Sequence, residues 1–202
     1  MKQNLKVNAI WLAILLAGFG LIQGLVAAGI LNIYYIQIVQ QIGIQIILAV
    51  GLNLIVGFSG QFSLGHAGFM AIGAYSVGII GKMMPSYGGF AVALIVGMLI
   101  SGAVALLVGI PTLRLKGDYL AIATLGVAEI IRILIINGGS LTNGAAGIMS
   151  IPLFTSWPLV YIFVIITTLV TVNFLRSPMG RATISVREDE IAAESVGVNP
   201  TF

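Results

Sequence analysis

The chain is 202 residues long, 59% hydrophobic and only 7% charged, with a formal net charge of +3 and no cysteine. Soluble domains carry about 25% charged residues, so this composition, with a mean hydropathy of +1.12, excludes a water-solvated globular domain and points to a chain that crosses a bilayer several times. The absent thiols exclude disulfides, thiolate metal centres and cysteine catalysis, and basic residues scattered near the ends of apolar runs, never gathered in a patch, exclude a nucleic-acid surface.

Hydropathy predicts spans over residues 8–27, 33–56, 67–81, 89–110, 119–136 and 157–175, in keeping with the roughly six spans of about 20 residues that this length allows. The expected fold class is all-α, a polytopic helical membrane protein in which residues 1–202 form a single transmembrane domain. Lys2 and Lys6 before the first run, with Val26-Ala27-Ala28 loosely like a cleavage site, would also suit a signal peptide. The run is longer than the about 7–15 apolar residues of a signal core, so it is read as a retained span.

In the second span Gln37, Gln41 and Gln45 recur every fourth residue, with Gln40 adjacent and Asn53 two turns beyond Gln45, so the amides share one helix face. Amides in a span normally face the bundle interior. Interhelical hydrogen bonding and the lining of a transport pathway both account for such a face.

Residues 51–75, GLNLIVGFSGQFSLGHAGFMAIGAY, then set a glycine-studded polar break between two apolar stretches. Irregular backbone at membrane depth persists only when it is buried in protein or lines a wet cavity, because an unpaired backbone group in hydrocarbon is costly. Gly57, Ser59, Gly60, Gln61, Ser63, Gly65 and His66 concentrate more donors and acceptors here than a plain connector needs. The candidate substrate pathway is therefore Gln37, Gln41, Gln45, Asn53, Ser59, Gln61, Ser63 and His66, and the break should be buried against other helices or a cavity. His66 taken alone is expected to be a hydrogen-bonded structural residue, since the chain has no second histidine and no carboxylate nearby. Ala67, Ala71, Ala74, Gly78 and Gly81 follow on one face of the third span, where small side chains let backbones approach.

In the fifth span Glu129 and Arg132 are three residues apart on one face. Charge within a membrane is expensive, so the two are expected to neutralise each other or a partner helix. Residues 137–148, NGGSLTNGAAGI, form an outer loop suited either to contact with an external protein or to a solvated connection. At the C-terminal end, Ser185-Val186-Arg187-Glu188 fits a capping box, Glu188, Asp189 and Glu190 suit a helix N-terminus, and Gly197 with Pro200 supplies a stop. A short helix over 186–196 is predicted, with Ile191, Ala192, Ala193 and Val196 as a small apolar docking surface.

With a cytoplasmic N-terminus, the inner segments hold Lys2, Lys6, Arg114, Lys116, Arg176, Arg181 and Arg187, and the outer segments hold Lys82 alone. That bias supports this orientation and sets residues 176–202 in the cytoplasm.

Residues 51–75 resemble the signature shared by the permease subunits of branched-chain amino acid ABC transporters. PTLRLKGDYLAIATLGVAEIIRI over 111–133 and LTNGAAGI over 141–148 are similar to the LivM-like member, and GRATISVREDEIAAESVG over 180–197 is similar to the family's cytoplasmic coupling segment. Two departures stand out. The general pattern has Glu directly before Ala-Ala, whereas Ile191 precedes Ala192-Ala193 here and Glu190 is displaced by one. Family members also continue through further spans beyond the equivalent of Phe202, so an N-terminal fragment or truncated product is expected.

The resemblance implies import of branched-chain or related small amino acids across a bacterial or archaeal inner or plasma membrane. It implies as partners a second, LivH-like permease subunit, cytoplasmic ABC ATPase subunits and a periplasmic or extracellular substrate-binding protein, besides the lipid bilayer. Glu190, Ala192, Ala193 and Gly197 would carry ATPase coupling. No GxxxxGK[ST] phosphate loop occurs, so ATP hydrolysis belongs to other subunits, and no catalytic residue, metal or cofactor is assigned. Urea, amide or other amino-acid importers share much of this signature. An uncoupled channel or secondary carrier would suit the break and the amide face, but has no use for a capped cytoplasmic docking helix. A membrane enzyme would need a catalytic companion for Glu129 or His66, and the sequence offers none.

Overall fold

The computed structural model describes residues 2–112, 115 and 117–198, with the side chains of the first helix described at Trp11 and from Ala13 onward. Arg114, Lys116 and Pro200, and the side chains of Lys2 and Lys6, on which the expected orientation and helix stop partly rest, lie outside the described residues. The order is α1 (Lys2–Ala27), α2 (Ile33–Asn53), a π turn (Leu54–Phe58), α3 (His66–Met83), α4 (Tyr87–Thr112), α5 (Asp118–Ile136), a 3-10 turn (Gly144–Ala146), α6 (Trp157–Arg176), α7 (Pro178–Glu188) and α8 (Glu190–Ser195). The described residues contain no strand. The fold is that of a polytopic helical membrane protein.

Four of the described helices are long and apolar enough to cross a bilayer: Ile33–Phe58, Tyr87–Thr112, Asp118–Ile136 and Trp157–Arg176. The described apolar part of α1, Ala13–Ala27, is shorter. α3, which carries His66, Lys82 and glycines at 68, 73, 78 and 81, is not among the four.

Chain contacts divide the molecule into two compact units, the first comprising Met1–Gly51 with Thr155–Asn173 and the second Leu52–Phe154 with Phe174–Phe202. Aromatic packing organises the first: Phe19 lies 4.9 Å from the Trp157 ring and 5.7 Å from that of Tyr161. The Tyr161 hydroxyl donates to the Leu15 carbonyl at 2.9 Å, which satisfies the phenol inside an apolar contact. α2 meets α6 through Gly43, where an added methyl would strike Val160. Gly43 stands two residues from both Gln41 and Gln45, roughly 200° around the helix from each at about 100° per residue.

In the second unit α3 packs against α4 and α5. A Cβ on Gly97 would sit 3.3 Å from Ser76 Cβ and 3.5 Å from Gly73 Cα, and one on Gly68 only 2.9 Å from Ala128 Cα, so the helices meet nearly backbone to backbone. Of the small-residue face expected on α3, Gly78 and Gly81 are buried, whereas Ala67 and Ala74 are exposed. The closest approaches fall instead on Gly68, Gly73 and Ser76, because α3 is flanked by two helices and no single stripe serves both. Residues 137–151 fold back along α3, and Ile148 and Ile151 close over Gly78. Asn143 adopts φ 60° and donates through Nδ2 to the Gly147 carbonyl at 2.8 Å, which gives this loop an ordered turn.

Candidate functional site

The second unit builds its polar centre around the break. The α-helix ends at Asn53 and the chain widens into the π turn; the Ser59 N–H and hydroxyl both donate to the Leu54 carbonyl, at 3.1 and 3.2 Å. Gln61 N–H donates to the Ile55 carbonyl at 3.2 Å. Gly60 then turns the chain with φ 68°, a conformation that side chains resist. Ser59, Gln61, Ser63 and His66 are partly buried and Gly65 is buried, whereas Gly60, Phe62 and Leu64 between them are exposed.

α5 fastens the far end of the break. The Leu64 N–H donates to Thr124 Oγ1 at 3.0 Å, while that hydroxyl donates to the Ala121 carbonyl at 3.0 Å. A Cβ on Gly65 would lie 3.1 Å from the Thr124 carbonyl oxygen. Thr124 was legible only as a lone hydroxyl in an apolar helix. His66 departs from expectation: its Nε2 is buried with no hydrogen-bond partner among the described residues, because the residue starts α3 with its ring end enclosed.

The C-terminal pair also differs from the predicted single helix over 186–196. Ser177 caps α7, accepting from Gly180 N–H at 3.1 Å with Pro178 in the first turn, so this helix starts well before the expected point. Ser185 is interior to α7 and donates to the Ala182 carbonyl at 2.8 Å rather than capping anything. The chain breaks at Asp189, with φ −160° and ψ 112°, and its carboxylate accepts from the N–H groups of Ile191 and Ala192 at 2.9 and 3.0 Å, starting α8. Gly197, at φ 88°, closes α8: its N–H reaches the Glu194 carbonyl at 2.9 Å, and Val198 N–H reaches that of Ala193 at 3.0 Å. The two helices enclose a shallow groove of about 400 Å³ lined by Ser185, Glu188, Asp189, Ala192, Ala193 and Val196. Ala193 is only 3% exposed and packs inward, so the outward apolar surface belongs to Ile191 and Val196, at 80% and 78%.

The profile of a family described as the permease component of branched-chain amino acid transport systems matches residues 34–202. The chain belongs to this permease family. It is 39% identical to the Salmonella typhimurium high-affinity branched-chain amino acid transport system permease protein LivM, over 64% of this chain and 38% of that protein. With the Escherichia coli protein of the same name it is 36% identical over the same shares. The match thus spans 38% of the length of these curated relatives. No solved structure matches it significantly. Family and apolar helices together make this a multi-pass membrane protein.

Within the permease chain, the amide face of α2 is not turned into the packing of its own unit. Gln37, Gln41 and Gln45 are exposed, since α2 presents its opposite, Gly43 face to α6. The amide that does find a partner is Gln40, whose Nε2 donates to the Thr155 carbonyl at 3.3 Å. Asn53 lies in the other unit, exposed, with its side-chain oxygen against Gly57. On α5, Arg132 and Glu129 form a forked pair: Nη2 donates to Oε1 at 2.7 Å and Nε to Oε2 at 2.9 Å. Both side chains are more than half exposed on this chain, and among the described residues each is neutralised by the other. Among the described residues no three acidic or histidine side chains gather as metal ligands.

Proposed function

We propose that this chain is the permease subunit, LivM-like, of an ABC importer that moves branched-chain or related small amino acids across the inner or plasma membrane. Residues 1–202 act as one transmembrane domain with a cytoplasmic coupling segment over 176–202, and the N-terminus is cytoplasmic. Its partners are a LivH-like permease, cytoplasmic ATPase subunits and an external substrate-binding protein. The chain itself is not an enzyme.

The observation that carries this reading is the polar break at the end of an apolar helix, in a chain whose family is defined by amino-acid transport. Polar, irregular backbone is tolerated at membrane depth where it serves a wet pathway. Ser59, Gln61, Ser63 and His66 in the second unit are pathway residues, all of them partly buried. Asn53 adds an exposed amide in the same unit, and within the first unit Gln37, Gln41 and Gln45 are exposed amides available to a substrate. Glu190, Ala192, Ala193 and Gly197 build the coupling helix, with Ala193 and Gly197 shaping it and exposed Ile191 and Val196 making its contact.

Co-purification with the ATPase tests the coupling role. Ile191→Glu should insert normally, yet lose most of its association, because a charge at the centre of an apolar contact is desolvated without a partner. Wild-type association by Ile191→Glu would overturn the docking assignment.

A further inference from the structure

Resting on that transport reading, we propose that Arg187 is a positioning residue that ties the coupling helices to the transmembrane break, so that movement of α8 reaches the pathway through a single side chain. The last carbonyls of a helix lack partners within it, and the Gly57 carbonyl at the end of the π turn receives Arg187 Nη1 at 2.7 Å. A guanidinium is suited to such an end because it donates several hydrogen bonds in a fixed plane and complements the negative helix terminus.

The stem of the same side chain crosses Gly60. A Cβ there would come within 2.5 Å of Arg187 Cγ, at a position whose φ of 68° already favours glycine. The other side of the guanidinium binds the neighbouring Glu188: Nε donates to Oε1 at 3.1 Å, and Nη2 pairs with the same oxygen. Glu188 is the last residue of α7, and the next residue, Asp189, is the cap of α8. One guanidinium therefore joins the end of the long apolar helix to the junction of the coupling pair, over a glycine that leaves it room.

Such a tie differs from a merely structural contact in what its loss does. A structural role would lower ATP hydrolysis and transport together. A positioning role separates them, because the ATPase still docks on α8 while its motion no longer reaches the break.

The test uses the assembled transporter in proteoliposomes, with radiolabelled leucine as the probe, and measures leucine moved per ATP hydrolysed. Arg187→Ala should keep hydrolysis near wild type and lose about tenfold in leucine per ATP, the order expected for a hydrogen bond to a charged group. Gly60→Ala, which displaces the stem without touching the guanidinium, should lower the same ratio, and Arg187→Lys should recover part of it. An unchanged ratio in Arg187→Ala, or a parallel fall in hydrolysis and transport that Lys does not relieve, would overturn the proposal. If the wild-type assembly shows no ATP-driven leucine uptake, the transport reading itself fails, and that outcome is distinct because it appears before any substitution is made.

Discussion

Glu129 and Arg132 show how a charge pair can be both locally satisfied and dependent on its setting. The two donors of Arg132 meet both carboxylate oxygens, the bidentate contact that makes guanidinium-carboxylate pairs directional. Both lie in a helix apolar and long enough to cross a bilayer, where a single uncompensated charge is unfavourable. Glu129→Gln alone should therefore reduce the yield of membrane-inserted protein more than Glu129→Gln combined with Arg132→Gln, since only the single change strands a charge. Detergent-extracted yield measures this. Equal losses would contradict mutual neutralisation of the pair.

Among the elements, the C-terminal helix pair carries the clearest lesson about caps. Ser185 and Glu188 fit the local pattern of a capping box, yet Ser177-Pro178 upstream starts the helix first and leaves Ser185 in its interior. Asp189, extended and free to accept two backbone donors, is the cap that acts. Asp189→Ala should cost about 1 kcal/mol of α8 stability, so the amides of Ile191 and Ala192 should exchange about fivefold faster. Ser185→Ala should leave those two amides unchanged. Faster exchange in Ser185→Ala than in Asp189→Ala would contradict the observed cap. The C-terminal stop, by contrast, was legible at Gly197 because a left-handed closing residue is a local requirement.

Across the whole molecule, what the sequence revealed follows from the range of the forces involved. Long apolar runs and their polar ends define helices almost by themselves, so α4, α5 and α6 begin and end within two residues of the runs read from hydropathy. The glycine break was legible for the same reason. The Thr124 hydroxyl on Leu64 and the Arg187 bridge to Gly57 were not, because each depends on residues brought together from distant parts of the chain. The amide face of α2 was visible as a face, but which way it points depends on Gly43, the residue that helix packing uses. The proposed ATP-driven passage of amino acids is tested most directly by leucine uptake into proteoliposomes assembled with and without this subunit. Uptake that requires both this chain and ATP hydrolysis is the predicted result; leucine flux through this chain that proceeds equally without ATP would contradict it.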